Sequence, residues 1–165
     1  MAIRAEEAGD AEAIRVLTTA AFAGAAHSSG REAAIVDELR AAGALSVSLV
    51  AEEAGVIVGH AAFSPVTIVG SPGNWMGLGP ISVAPDRQHR GVGTALMRAG
   101  LDRIRGMAAA GCVLVGDPAY YGRFGFVSDG LLTCSDIPVR YVQRLVFNGP
   151  DPAGAIRFHP AFGVT

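Results

Sequence analysis

Leu78-Gly79-Pro80-Ile81-Ser82-Val83-Ala84-Pro85-Asp86-Arg87-Gln88-His89-Arg90-Gly91-Val92-Gly93-Thr94-Ala95-Leu96-Met97 is the stretch that decides the fold. It starts inside an apolar run, Trp75 to Val83, that reads as a strand. It then crosses a loop of turn residues and enters a long helix. In that helix Met97, Leu101, Ile104 and Ala108 share one face, and Arg98, Asp102 and Arg105 share the opposite one. The pattern Gln88-x-x-Gly91-x-Gly93 sits at the junction. Its glycines let the backbone turn tightly and approach a ligand. The amides of Gly91, Val92, Gly93 and Thr94 then head a helix N-terminus, where direct hydrogen bonds and the helix dipole favour a pyrophosphate. Arg87 and Arg90 add two permanent cations. A glycine-rich turn before a helix is common in unrelated proteins, so the motif alone is weak. It lacks the third glycine of a dinucleotide fingerprint, and no Gly-Lys-Ser/Thr follows as in a P-loop.

Upstream, Ile3 and Arg4 open a first strand. Asp10 is placed to cap a helix to about Phe22, with Ile14, Leu17 and Ala21 inward. A Gly/Ala/Ser stretch, residues 24–30, breaks it. A second helix covers Arg31 to Ala42, with Ile35 and Leu39 inward and Gly43 to end it. Ser46–Glu53 and Val56–Val69 read as strands joined by a turn at Ala54-Gly55. Ser64-Pro65 should interrupt pairing, because proline has no ladder donor. Downstream of the long helix, which Gly111 should end, Cys112–Val115 is a short strand. Asp117 with Pro118 starts a short helix to about Phe124, closed by Gly125. The last forty residues read as two strands, the better one Tyr141–Phe147. Helices, a meander of strands, then strand–helix–strand–helix–strands predicts an α/β (α+β) fold, a mixed sheet with helices on both faces.

Composition narrows the chemistry. The chain has 165 residues, half of them hydrophobic, which suits one domain over 1–165 with a real core. Its formal net charge is -2 and it has no basic run, so no nucleic-acid partner is indicated. All 13 basic residues are Arg, which removes Schiff-base lysine chemistry. Cys112 and Cys134 are too isolated for a disulfide scaffold or zinc site and read as buried free thiols. No metal is expected. No apolar run is long enough for a membrane span, and no signal-peptide pattern opens the chain, so a cytoplasmic location without membrane contact is expected.

A second segment raises the specificity: Tyr121-Gly122-Arg123-Phe124-Gly125-Phe126 follows the next strand. Together with Gly79-Pro80-Ile81-Ser82-Val83-Ala84-Pro85-Asp86 and Gln88-x-x-Gly91-x-Gly93, it resembles the Gcn5-related N-acetyltransferase (GNAT) superfamily over essentially the whole chain. Gly59-His60-Ala61-Ala62-Phe63-Ser64-Pro65-Val66, Gly116-Asp117-Pro118 and Arg157-Phe158-His159-Pro160-Ala161-Phe162 are similar to its narrower YhbS-like group. The resemblance implies a mostly antiparallel sheet of about seven strands with one splayed parallel pair, Trp75–Val83 and Cys112–Val115, joined through the long helix. It implies acetyl-coenzyme A as cosubstrate and the amine of a small molecule or peptide as acceptor. The backbone of Ile81, Ser82 and Val83 would pair with the pantetheine. Gln88, His89, Arg90, Gly91, Val92, Gly93 and Thr94 would hold the pyrophosphate. The neutral amine would attack the thioester directly, and Tyr121 would protonate the departing thiolate, as a phenol can at neutral pH. A homodimer is compatible with this reading.

Two features depart from the family pattern. Leu78 to Ser82 offer no carboxylate where many members carry a Glu base, and no Asn stands between the fifth strand and the tyrosine helix. The base is therefore unassigned, with water to bulk solvent as a candidate. Tyr121 could instead pack as an aromatic with a wet hydroxyl, and Tyr120 is the reserve acid. His60 reads as structural before catalytic, His27 as exposed before a contact to the acceptor, which the resemblance places near the loop between the first two helices, and His89 as exposed. His159 is placed to lock the C-terminal strand through a backbone bond. Asp117 reads as a cap before a substrate contact. Glu32, Asp37 and Glu38 could be only the solvated face of the second helix. An acyl-coenzyme A sensor without turnover and an acyltransferase for longer chains stay open as alternative functions.

Overall fold

The computed structural model describes residues 1–163. Its elements run β1 (Ala2–Ala5), α1 (Ala11–Phe22), α2 (Glu32–Ala41), β2 (Val47–Glu53), β3 (Val56–Ile68), β4 (Trp75–Val83), α3 (Val92–Gly106), β5 (Gly111–Val115), α4 (Pro118–Tyr121), β6 (Leu132–Thr133), β7 (Val142–Val146) and β8 (Gly154–Arg157). Eight strands form a mixed sheet in the order β1-β2-β3-β4-β5-β7, with β8 pairing β3 and β6. Most pairings are antiparallel. β4 and β5 are parallel, joined in sequence by α3. The two-residue β6 also pairs in parallel with β8, so β4–β5 is not the sole parallel pair that the sequence reading expected. The eight strands agree with the expected count of about seven, the additional one being β6, which is too short to leave a pattern in the sequence.

The chain divides into two compact units. The first comprises Met1–Phe63 and Gly79–Gly100. Its β2 pairs β3 from Val47↔Phe63 to Glu53↔Val56, with a bulge beside Ala51/Glu52. The hairpin turn holds Ala54 and Gly55 both at positive φ. Ile14 of α1, Val36 of α2 and Val50 of β2 form a buried cluster, with Leu45 and Ile57 packed against it. Each such side chain withdrawn from water contributes about 1.5–3 kcal/mol. The opposite face of β3 takes α3 through two glycines. A Cβ on Gly59 would lie 2.7 Å from Val92 Cγ1 and 2.9 Å from Leu96 Cδ1, and one on Gly100 would collide with the Phe63 ring. These close approaches seat the start of α3, and so fix the loop that enters it.

The second unit comprises Ser64–Leu78 and the described residues from Leu101 on. Its core gathers Val66, Ile68, Trp75, Val113, Leu132, Cys134, Val142 and Ile156. The parallel ladder consists of Trp75↔Gly111, Met76↔Cys112 and Gly77↔Val113. It stops there, while β5 continues against β7 to Val115↔Val142. β4 runs on into Gly79-Pro80, a cis peptide, where Pro80 has no N–H for a ladder. β2 pairs β3 only as far as Phe63, and β8 takes Thr67 and Ile68, so a partner change does bracket Ser64-Pro65.

Several local expectations need correction. α3 ends at Gly106, so Ala108 is exposed and outside it. The stop is a left-handed turn, with Ala108 at φ 60 and Ala109 N–H donating to the Ile104 carbonyl. Alanine stands where glycine normally signals this motif. In α1 the third buried residue is Thr18, and Ala21 is half-buried. Asp10 does precede α1, but its carboxylate accepts from Arg4 and from the Glu7 amide instead of capping the helix.

Candidate functional site

In the first unit, the segment from Ile81 to Thr94 leaves β4 and turns into α3. Ala84 N–H donates to the Val58 carbonyl at 2.8 Å and ties the end of β4 to β3. Pro85–Arg87 make one 3-10 turn, and the Gln88 side-chain amide donates back to the Val83 carbonyl at 3.3 Å. The chain then enters the left-handed region twice, at His89 (φ 63) and Gly91 (φ 84). A Cβ on Gly91 would meet nothing within 4 Å, so the demand for glycine there is conformational. The first ladder bond of α3 runs from Ala95 N–H to the Gly91 carbonyl. The amides of Val92, Gly93 and Thr94 thus lie ahead of the ladder, and the first turn carries no acidic residue to compete for them.

The two expected cations differ. Arg87 is engaged by Asp86 at 2.9 Å and lies 3.8 Å from Glu53, whereas Arg90 is exposed with no ion pair among the described residues. Ile81 and Val83 are half-buried, and Ser82 is buried with its hydroxyl lacking any protein partner. His89 is exposed.

Tyr121 belongs to the second unit and closes α4. Asp117 caps that helix, its carboxylate accepting from Ala119 N–H at 2.9 Å while its carbonyl accepts from Tyr120 and Tyr121. Pro118 fits the first position, and Gly125 closes the segment at φ 95. The Tyr121 ring makes edge contacts with Tyr120 at 4.9 Å and Phe126 at 6.1 Å between centroids. Its hydroxyl has no hydrogen-bond partner among the described residues. Burial, with smaller contributions from Tyr120, Cys112 and Asp117, pushes this phenol up to about 12. Tyr120, the reserve candidate, is instead held beneath the Arg123 guanidinium, 4.4 Å from its ring centroid.

Sequence reasoning missed two residues of this corner, Gly116 and Gln143. The Gly116-Asp117-Pro118 stretch was legible as a helix start and as part of the resemblance to the YhbS-like group, with no role for Gly116 itself. Gln143 is a lone polar residue on β7, and it is wholly buried. Its amide donates to the Gly116 carbonyl at 2.8 Å, a tertiary contact with no local signature.

The remaining candidates have structural partners. His60 is fully buried. Its Nε2 meets Ser48 Oγ at 2.8 Å, and Ser48 in turn donates to Glu6, which Arg40 grips with two bonds of 2.8 Å. Because Ser48 donates to Glu6, His60 Nε2 carries the proton, and Nδ1 is a buried acceptor without a partner. Burial pushes this imidazole down to about 4, so it is neutral at neutral pH. Its stabilising share is lost as pH falls from about 6.5 through about 4. The Arg40 hydrogen bond holds the Glu6 carboxyl below its usual range. Asp37 pairs with Arg15 and Arg40, Glu38 with Arg31, and Glu32 closes its own loop through Ser28 and Ser29, so these acids are not merely solvated. His27 is exposed, and His159 accepts from Ala161 N–H at 3.0 Å, a backbone bond at the C-terminal turn. Cys112 and Cys134 are buried and free. Among the described residues no group of three or more His, Cys, Asp or Glu could hold a metal ion, and no helix is long and apolar enough to cross a membrane.

A mostly antiparallel sheet with a short parallel β4–β5 ladder, and a glycine-turned helix N-terminus directly after β4, define the class. The chain belongs to the acetyltransferase (GNAT) family, whose sequence pattern matches residues 12–126. It is 40% identical over 129 residues to the uncharacterized N-acetyltransferase YhbS of Escherichia coli K12, which covers 76% of this chain and 73% of that protein. Among solved structures it is similar to a GNAT family acetyltransferase from Brucella melitensis in complex with acetyl-CoA. That match has a TM-score of 0.87 and 49% identity, over 98% of this chain and 97% of the other. It is also similar to the E. coli YhbS structure in complex with CoA, with a TM-score of 0.88 and 32% identity, over 98% and 91% of the two chains.

Proposed function

We propose that this chain is a single-domain N-acetyltransferase, acting in the cytoplasm, that moves the acetyl group of acetyl-coenzyme A to a primary amine of a small molecule or peptide. The observation that carries the reading is the start of α3: three amides ahead of the helix ladder, behind a glycine at φ 84, with no acid in the first turn. Such a terminus fits a pyrophosphate. The acetyl-CoA and CoA named for the two similar structures support the choice of ligand.

In this reading the amides from Gly91 to Thr94 receive the phosphate oxygens, with Arg90 adding charge and Gln88 and His89 shaping the loop. The backbone of Ile81, Ser82 and Val83 serves as the edge along which the pantetheine lies. Acetyl-coenzyme A supplies a thioester carbon; the amine nitrogen bonds to it, the carbon–sulfur bond breaks, and the electron pair leaves on sulfur. Tyr121 gives its hydroxyl proton to that sulfur and is reprotonated from solvent. The acceptor nitrogen sheds its proton to water, since no carboxylate stands on Leu78 to Ser82. Tyr121 is protonated throughout the physiological range. The same burial makes it a weaker acid than a free phenol, so it acts as a donor to the thiolate only where its hydroxyl is held close to the sulfur.

Thiol release from acetyl-coenzyme A across a panel of amines, amino acids and peptide N-termini tests the reading. Amine-dependent release with stoichiometric acetylated product is expected. Tight coenzyme A binding with no release for any amine would contradict an enzyme and favour a sensor. Release only from longer acyl thioesters would point to the other acyltransferase reading.

A further inference from the structure

Gly116 lies between β5 and the cap of α4, and its backbone is held from both sides. Its N–H donates to the Tyr141 carbonyl at 3.0 Å, and its own carbonyl accepts from the Gln143 amide at 2.8 Å. Gln143 is wholly buried, so that donor does not exchange freely with water. Gly116 does not have a positive φ, so its backbone conformation is open to any residue. The position excludes a side chain for another reason. A Cβ there would collide with Cε2 of the Tyr121 ring and lie 3.0 Å from Cδ2. The ring thus rests in the hollow that the missing Cβ leaves. Asp117, the next residue, caps the helix that carries Tyr121.

We propose that Gly116 and Gln143 are positioning residues for Tyr121: Gln143 anchors the Gly116 carbonyl, and the bare α-carbon of Gly116 seats the tyrosine ring and so sets the aim of its hydroxyl. The proposal rests on the reading of Tyr121 as the acid. A phenol that must meet a departing sulfur has little tolerance in aim, since a displacement near 1 Å costs about 10²-fold in rate. The ring packs against Tyr120, Phe126 and the Gly116 α-carbon, and such packing can hold an aim without a hydrogen bond to the reacting group.

Two substitutions act on this seat by different routes. Gly116→Ala adds bulk under the ring; Gln143→Leu adds none and removes the anchor, together with the longer 3.5 Å bond from the same amide to the Tyr141 carbonyl. Each is made in the wild-type chain and in Tyr121→Phe. The position of the seat is read by NMR, from the shifts of the Tyr121 ring protons, which lie edge-on to Tyr120 and Phe126. Function is read as turnover at saturating acetyl-coenzyme A, with the amine giving fastest thiol release, beside calorimetric affinity for coenzyme A. Both variants should move the ring-proton shifts, lower kcat roughly 10–100-fold and leave coenzyme A affinity within about twofold. In the Tyr121→Phe background they should lower kcat little further, because the group they aim is already gone. The inference is overturned if the ring-proton shifts move and kcat does not, or if neither variant moves those shifts. A full kcat loss persisting on top of Tyr121→Phe would overturn it as well. Should Tyr121→Phe itself keep full turnover, the acid reading fails first. Should Tyr121→Phe lose turnover while both positioning variants keep it, only the present inference fails. If Gly116→Ala does not fold, Gln143→Leu carries the test alone.

Discussion

The turn into α3 and the corner after β5 each depend on one glycine, for opposite reasons. Gly91 has open space around its α-carbon but a φ of 84, so it is the backbone conformation that forbids a side chain. Gly116 has an ordinary φ but a tyrosine ring where its Cβ would be, so the packing forbids one. The first region offers backbone amides and is largely exposed. The second offers one side-chain hydroxyl held in a packed cluster of rings. A site made of amides is lost when the backbone path changes; a site made of a hydroxyl is lost when a single atom goes. The two regions should therefore fail in different measurable quantities.

The largest effect should come from Tyr121→Phe. General-acid help is typically worth roughly 10²–10⁴ in rate, and kcat should fall by about that much in a thiol-release assay where chemistry limits turnover. Tyr120→Phe should cost far less. If the two outcomes are exchanged, the acid is the neighbouring tyrosine, and the comparison must be redrawn around Tyr120.

The pH profile sharpens the same point. An acid must be protonated to act, and burial keeps Tyr121 protonated to about 12. The descending alkaline limb of kcat/KM should therefore be missing at pH ~10, where an ordinary tyrosine ionises. The sign in stability agrees: a phenol with a raised folded pKa loses its share as pH rises from about 10 through about 12. A limb falling near pH ~10 would mean that the hydroxyl which matters is not buried.

Removing the Asp117 cap comes next. Asp117→Ala should cost about 0.5–2 kcal/mol in urea unfolding and reduce turnover more than coenzyme A affinity, because the helix it starts carries Tyr121. The smallest effect belongs to Arg90→Ala. An exposed side chain at a phosphate contributes on the order of 1 kcal/mol, so affinity should fall only several-fold and converge with wild type at high salt. A much larger loss would mean that the arginine, and not the amides, carries the phosphates.

The two regions were legible in the sequence to different depths. Gly91 and Gly93 before an amphipathic helix, and Asp117-Pro118 before a short one, are local signals whose mechanism lies within a few residues. Gly116 and Gln143 form a tertiary pair 27 residues apart, and nothing near either residue announces the other. The same limit governed the fold. β4 was readable to the residue from an apolar run bounded by a Gly/Pro/Asn loop. The end of α3 was not, because Ala108 takes the left-handed position that glycine normally marks. β6, with two residues, is a strand only through its pairing with β8.

The division of labour between the regions is tested most directly by calorimetric titration of acetyl-coenzyme A into Gly91→Val and Tyr121→Phe side by side. A β-branched residue at φ 84 must redirect the turn and take the amides of Val92 to Thr94 away from the phosphates. Losing two or more hydrogen bonds to a charged group predicts an affinity at least about 100-fold weaker for Gly91→Val. Tyr121→Phe should bind like wild type. Equal affinity in the two variants, or a loss confined to Tyr121→Phe, would contradict the account.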